Sequence, residues 1–214
     1  SDKNVGTGKT VTITSSYSGA DVSNYSVTDQ SSTTANITAK SLTVSGITAS
    51  DKTYDGSVTA TMDGTAAVYS GLVSGDTFDG SYTGVFSDAN VGTGKTVTIT
   101  PSYSGADVNN YSVTDQSTTT ADISAKALTA TASASNKTYD GGTTASTTLT
   151  FTGLVGSETL GQTVGSTFDN KNVGSNKTVT VNSITLSDGS GLAANYSISA
   201  GQTTTADVTA KSLT

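Results

Sequence analysis

Apolar residues in this chain recur at every second position, in short runs. Leu42/Val44, Val58/Ala60/Met62, Val97/Ile99, Ala145/Thr147/Leu149/Phe151 and Val179/Val181 set the alternation, with polar neighbours between them. A period of two turns one side of an extended segment toward a core and the other toward water. The β-branched residues that fill these runs resist helix. Glycine-bearing turns separate them, at Asp55-Gly56, Asp63-Gly64, Gly75-Asp76 and Asp140-Gly141-Gly142. The pattern predicts a mainly β chain of small domains, β-sandwich or β-grasp-like. A short helical turn is expected at 71–76, with a counterpart at 153–157.

The same patterns return along the chain. Residues 1–38 and 87–124 differ only at Lys3/Ala89, Ser15/Pro101, Ser23/Asn109, Ser32/Thr118, Asn36/Asp122 and Thr38/Ser124. Lys-Thr-Tyr-Asp-Gly begins at Lys52 and Lys137, and Asn-Tyr-Ser begins at Asn24, Asn110 and Asn195. The expected division is 1–38 as the last part of one repeat, 39–124 and 125–209 as full repeats, and 210–214 as the start of another, cut from a longer array. This period exceeds the roughly 20–50 residues of a solenoid unit and suits a small domain closing its own core. Tandem domains of this kind are expected to line up end to end as an elongated rod. The segment 118–132 would carry the chain almost straight from one domain's last strand into the next domain's first. Relative to the first full repeat, the second lacks three residues between Tyr-Asp-Gly and Asn-Val-Gly and gains three before Asn-Tyr-Ser. The folds should diverge in those loops.

One stretch invites a chemical reading. Asn90-Val-Gly-Thr-Gly-Lys-Thr-Val-Thr-Ile-Thr100 contains Gly-Thr-Gly-Lys-Thr, the tail of a phosphate-binding loop. Such a loop needs a glycine five positions before Gly94, where Ala89 stands, and a helix after it, where the alternation of a strand follows. A third copy, Asn172-Val-Gly-Ser-Asn-Lys-Thr, replaces the second glycine by Asn176. Gly and Asn exchange where the backbone needs positive φ. The stretch therefore reads as a turn entering a strand.

Composition narrows the function further. The chain has no Cys, His, Trp or Arg, one Glu (Glu158), one Pro (Pro101), and a formal net charge of −7. Without a histidine or a paired acid, general acid–base and triad chemistry lack their parts, so no enzyme is expected. The acidic balance argues against nucleic acid. No run reaches the roughly 18 apolar residues of a membrane helix, so no membrane insertion is expected.

The ordered set Lys-Thr-Tyr-Asp-Gly (52–56, 137–141), Gly-Leu-Val-Ser-Gly-Asp (71–76), Asn-Val-Gly-Thr-Gly-Lys, Ser-Gly-Ala-Asp with Asn-Tyr-Ser (104–112) and the joining Thr-Thr-Ala-Asp-Ile-Ser-Ala-Lys-Ala-Leu-Thr resembles the YDG repeat domain. That domain accompanies related MBG modules in large bacterial surface adhesins and filamentous-haemagglutinin-like proteins. The resemblance implies extracellular modules at the bacterial cell surface that space an adhesive tip from the cell. Their partners would be neighbouring repeats, with a glycan or protein receptor met through another domain. The repeat-motif residues are then Tyr54, Asp55, Gly56, Tyr139, Asp140, Gly141, Gly92, Gly174, Tyr111 and Tyr196. The second full repeat departs from the pattern where Asp107 gives way to Ala193.

From the residues alone, Tyr54 and Tyr139 are expected to pack on a sheet edge while Asp-Gly makes the turn. Tyr25, Tyr111 and Tyr196 should be core-edge aromatics, with Asn24, Asn110 and Asn195 capping a turn. No cofactor is expected; the candidates for calcium are Asp76, Asp79, Asp88 and Asp107, hard oxygen donors near loops. A Lys–Asn isopeptide bond would draw on Lys40/Lys126, Asn110/Asn195 and Asp122/Asp207. Weak multivalent glycan or protein binding is the competing function, with Tyr69, Tyr82 and Tyr103 as its aromatic platform.

Overall fold

A computed structural model of the chain describes residues 2–213. Its elements are short strands, and the only helical ones among the described residues are three 3-10 turns, Val22–Asn24, Val108–Asn110 and Ala193–Asn195. The mainly β expectation holds. At 71–76 there is no helix but a turn in which the Asp76 N–H donates to the Val73 carbonyl (3.1 Å), and Glu158 donates to Val155 likewise (3.1 Å). The 3-10 turns lie elsewhere: each ends on the Asn of an Asn-Tyr-Ser.

The chain forms two compact units, one of 1–49, 60–85 and 97–119, the other of 50–59, 86–96 and 120–214. The first combines the incomplete copy at the start with most of the first full repeat. The second joins the Lys-Thr-Tyr-Asp-Gly and Asn-Val-Gly segments of that repeat to the whole of the next. The compact bodies are thus out of phase with the sequence period.

In the first unit the strand Lys40–Ser45 is central. Tyr111–Thr114 pairs parallel to it from Tyr111↔Lys40 to Thr114↔Thr43, and Val68–Ser70 pairs antiparallel on the other side. Leu42 and Val44 share the buried side of this strand, as their alternation predicts. Leu42 packs with Phe78 and Tyr111, and Val44 with Ile47 and Ile99. The incomplete copy contributes an antiparallel pair, Gly6–Thr12 with Ser32–Ile37. Its Val11, Ile13 and Tyr25 are exposed, whereas their counterparts Val97, Ile99 and Tyr111 are buried.

The second unit holds a five-stranded sheet ordered Lys137–Thr138, Thr203–Thr209, Gly174–Asp188, Leu160–Phe168, Thr144–Ala145. The first pairing is parallel and the other three antiparallel. Phe168, Val179, Ala206 and Val208 close the core with Ala145, and Tyr139 leans against them. Each large apolar side chain so buried is worth about 1.5–3 kcal/mol. The linking segment is strand almost throughout, as Thr118–Ser124, Lys126–Ala127 and Thr129–Ala134.

The three-residue difference has a visible effect. In the first full repeat Met62–Asp63 and Val68–Ser70 are separate strands. Gly46, at φ 83°, sits where an added Cβ would be 2.4 Å from the Ala66 carbonyl oxygen of the loop between them. In the second repeat one strand, Thr147–Thr152, pairs without a break against Thr129–Ala134. Removing the loop fuses two strands into one.

The Gly-Thr-Gly-Lys stretch lies inside its strand rather than before it, which corrects the expectation of a turn entering a strand. The pairing register slips between Gly6 and Lys9, and again between Gly174 and Lys177, so the motif makes a β-bulge. Gly8, Gly94 and Asn176 have φ of 62°, 59° and 52°. Their N–H groups donate to Asn36, Asp122 and Asp207 at 2.7–2.8 Å. Gly92 lets the Lys95 stem cross it, since a Cβ there would meet that stem at 3.3 Å, and Gly174 admits Lys177 in the same way. Lys95 ends on Asp88 (2.7 Å) and Lys177 on Asp169 (3.0 Å), so the motif's cation is spent on its own turn. Gly94→Ala should cost about 1–2 kcal/mol, the penalty of a Cβ in the left-handed region, while Asn176→Gly costs almost nothing. Urea-denaturation midpoints of the two variants check this.

Candidate functional site

The motif residues converge where one copy meets the next, and the arrangement occurs twice. In the second unit the side chain of Asn195 is 1% exposed. Its Oδ1 accepts the Val91 N–H (2.9 Å) and its Nδ2 donates to Asn90 Oδ1 (3.0 Å). In the first unit Asn110 does the same with Val5 N–H (2.9 Å) and Asn4 Oδ1 (3.1 Å). The Asn of Asn-Tyr-Ser thus grips the Asn-Val of the preceding copy. This corrects the expectation that Asn110 and Asn195 cap their own turn. The 3-10 turn has the separate task of presenting that side chain.

The adjacent tyrosine completes the contact. The Tyr196 hydroxyl accepts the Val155 N–H (2.9 Å) and donates to Glu158 Oε2 (2.6 Å). Tyr54, from the preceding copy, donates to the other oxygen, Glu158 Oε1 (2.7 Å). The two rings meet edge to face with centroids 5.4 Å apart and planes at 79°. The single glutamate of the chain therefore bridges two copies through two phenols. The hydrogen bond to Glu158, followed by burial, raises the Tyr54 pKa to about 12. Burial first, then Glu158, raises that of Tyr196. In the first unit Asp76 takes the glutamate's place: the Tyr111 hydroxyl donates to it (2.7 Å) and accepts the Val73 N–H (3.0 Å). Lys3 of the incomplete copy reaches both Asp76 (2.6 Å) and Asp107 (3.1 Å). The Lys3 ammonium, then the Tyr111 hydroxyl, hold the Asp76 carboxyl below its usual range.

Tyr-Asp-Gly divides its labour. Asp55 accepts the Lys52 ammonium (2.8 Å) and the Ser57 N–H (2.8 Å), and Lys52 first, then Ser57, lowers its pKa. Lys52 also bonds the Ser57 and Thr59 carbonyls and lies 5.5 Å from the Phe86 ring centroid. Asp140 and Lys137 repeat the pattern with the Gly142 N–H. Gly56 (φ 78°) and Gly141 (φ 84°) need the left-handed conformation. Gly56 has a second constraint, because a Cβ there would come within 2.9 Å of Val155 Cγ1. The turn expectation holds. At Tyr54 the buried ring also meets the next copy's Tyr196 edge to face. Tyr139 does pack against its own sheet.

The calcium candidates are dispersed. Asp76 and Asp107 share Lys3, Asp88 binds Lys95 and the Asn90 N–H, and Asp79 stands exposed at a strand start. No three acidic side chains gather as metal ligands among the described residues. Asp107 also accepts the Thr77 N–H (2.9 Å), and in the second repeat Ser190 Oγ takes the matching Thr159 N–H (2.8 Å). A serine thus covers for the missing aspartate. The residues considered for an isopeptide bond have other work: Asn110 and Asn195 lock copies together, while Asp122 and Asp207 hold the bulge. Tyr69, Tyr82 and Tyr103 are half-buried over Phe78, Val44 and Ile99, not an open platform. Two features of the sequence mark the junction, namely Asn-Tyr in all three copies and Lys3 in place of Ala89.

A chain of small β-sheets whose recurring contacts join successive copies defines a tandem β-repeat protein. The family model of the YDG domain matches residues 38–121 and 124–206, and the chain belongs to that family. Comparison with curated proteins and with solved structures gives no match.

Asn195→Ala leaves the half-buried Val91 N–H without its acceptor and breaks the bond to the exposed Asn90 amide, and should destabilise the second unit by about 1–3 kcal/mol. Asn110→Ala, at a half-exposed joint, should cost less; chemical denaturation compares them. Because the folded pKa of Tyr54 lies above the ordinary 10.0, its contribution is complete below pH 10 and fades as pH rises through about 12. Tyr54→Phe should remove that alkaline loss, as read by melting temperature against pH. Asp76 has the opposite sense: its contribution is present above the ordinary carboxylate range and lost as acid titrates it.

Proposed function

We propose that these repeats are spacer modules of a bacterial cell-surface adhesin, extending an adhesive part away from the cell. The observation that carries the reading is the paired Asn–Val joint, built twice from the same residues. It fixes each copy to the one before through backbone as well as side-chain groups. A spacer needs its successive copies tied to one another, and each joint does so within a single compact unit. The nearly unbroken strand from Thr118–Ser124 through Thr129–Ala134 carries tension along backbone with few free residues. Near-duplicate neighbours fit a mechanical role better than a specialised catalytic one. The polar, acidic, cysteine-free composition suits an exported surface polymer.

Small-angle scattering on polypeptides of two, four and eight copies tests the reading. The maximum dimension should rise in proportion to copy number at constant cross-section. A compact or freely jointed envelope would overturn it, as would selective binding of the repeats to a glycan array.

A further inference from the structure

The second full repeat leaves open a seam that the first one closes. In the first, Tyr111–Thr114 runs parallel to Lys40–Ser45 over four residue pairs. Beyond that strand the Gln116 side chain clamps the exposed backbone edge. Its Oε1 accepts the Ile47 N–H (3.0 Å) and its Nε2 donates to the Ile47 carbonyl (2.7 Å). Asp115 accepts the Tyr103 hydroxyl (2.5 Å), which pins the crossing between strand and clamp.

In the second repeat only two pairs remain, Lys126↔Tyr196 and Ala127↔Ser197. The cause is local. Thr118 and Thr203 both stand seven positions after the tyrosine, so Asp115, Gln116 and Ser117 correspond to Ala200, Gly201 and Gln202. The pin has become an alanine and the clamp a glycine, while the glutamine has moved one position on. There its Nε2 turns back to the Ser199 carbonyl (2.8 Å), and its Oε1 is buried without a partner among the described residues. Between 127–130 and 197–202 lies an open hollow of about 530 Å³ with no charged side chain in its walls. It belongs wholly to the second unit and to one full repeat, and no side chain of the joint lines it.

One wall of the hollow is a bare strand edge. Thr129–Ala134 pairs only with Thr147–Thr152 among the described residues. Opposite Ala132, Leu149 spends its N–H and C=O on the Gln162 amide (3.2 and 2.8 Å). Cross-strand bonds in an antiparallel pair fall on alternate residues, so Thr129, Thr131 and Ser133 make them. Leu128, of the other parity, donates its N–H to the Ser197 carbonyl (2.7 Å). Ala130 and Ala132 therefore aim their backbone groups at the unpaired edge, on the side where the hollow opens.

We propose that this edge takes an extended, uncharged peptide segment of a partner protein, added as a strand parallel to Thr129–Ala134. The first repeat shows what fits, since its own Tyr111–Thr114 covers the corresponding edge in that direction. The added strand continues the pairing that stops at Ala127 and Ser197, accepts the Ala130 N–H, and supplies the donor that Gln202 Oε1 lacks. Uncharged walls favour an uncharged guest, because a charge brought there would lose water without gaining a counterion. Strand addition of this kind draws its affinity from backbone bonds and its selectivity from the side chains beside them.

The probe is a capped Ser-Val-Thr-Asn-Gln-Ser peptide, the sequence of 112–117 with its aspartate made neutral. In the free 214-residue chain the Ala130 amide should exchange with deuterium roughly a hundredfold faster than the ladder-bonded amide of Thr131. Added peptide should slow Ala130 and shift the Gln202 side-chain amide in the NMR spectrum, saturating on the order of 1–10 mM. Ala130→Pro deletes the edge N–H without breaking a bond to Thr147–Thr152, as an edge strand tolerates, and should weaken binding about tenfold or more. Circular dichroism checks its fold. Gln202→Ala leaves the backbone alone and should weaken binding severalfold. An Ala130 amide protected before peptide is added means that the chain closes its own seam, and overturns the proposal. So does a peptide that leaves Ala130 unprotected, or binding that both variants leave unchanged. The scattering of covalent tandems is untouched by any of these results, so this inference and the spacer reading fail separately.

Discussion

A primary amide buried between two copies is the constraint on which the rest of the structure depends. Asn195 carries an amide carbonyl and an NH2 group into a place with almost no water, where the carbonyl accepts the preceding copy's Val91 N–H and the NH2 donates to its Asn90. A buried polar group that loses its partner is costly, so the contact is specific as well as favourable. Neighbouring elements serve it. The 3-10 turn delivers the amide, and the glycine at 56 clears room for Val155. The acid at 158 gathers both phenols.

This explains why compact unit and sequence period disagree. The family match follows the order of motifs along the chain, whereas the compact bodies follow packing. Lys52–Thr53 pairs in parallel with Ile123-Ser124, and Tyr54 and Val91 work with residues of the following copy. A repeat is therefore a unit of duplication more than a unit of packing. The two joints also show what may vary. The amide grip is constant, while the ionic part changes from Lys3 with Asp76 and Asp107 to Tyr54 with Glu158.

Much of the fold was legible in the sequence because it is local. Alternation placed Leu42, Val44, Val97 and Val179 in cores, and the Gly/Asn exchange at 94 and 176 revealed a backbone of positive φ. The bulge was harder, because a register slip depends on the partner strand, and Asp122, which caps Gly94, lies far away in sequence. The joint was harder still. Asn-Tyr-Ser looks like an ordinary turn, and nothing local shows that its amide reaches across to residues about 105 positions earlier. Tyr54 was legible as a packed ring, but its contact with the next copy's Tyr196 was not, since parallel pairings of short strands leave little periodic trace.

The amide grip has an evolutionary corollary. Half of what Asn110 and Asn195 recognise is main-chain N–H, which every copy offers whatever its side chains have become, and the other half is an asparagine present in each Asn-Val-Gly. A gene that gained or lost one whole repeat by unequal recombination would still encode chains in which every boundary matched. Length could thereby vary between generations while the amide grip at each boundary is kept, with only the ionic part of the fit left to readjust.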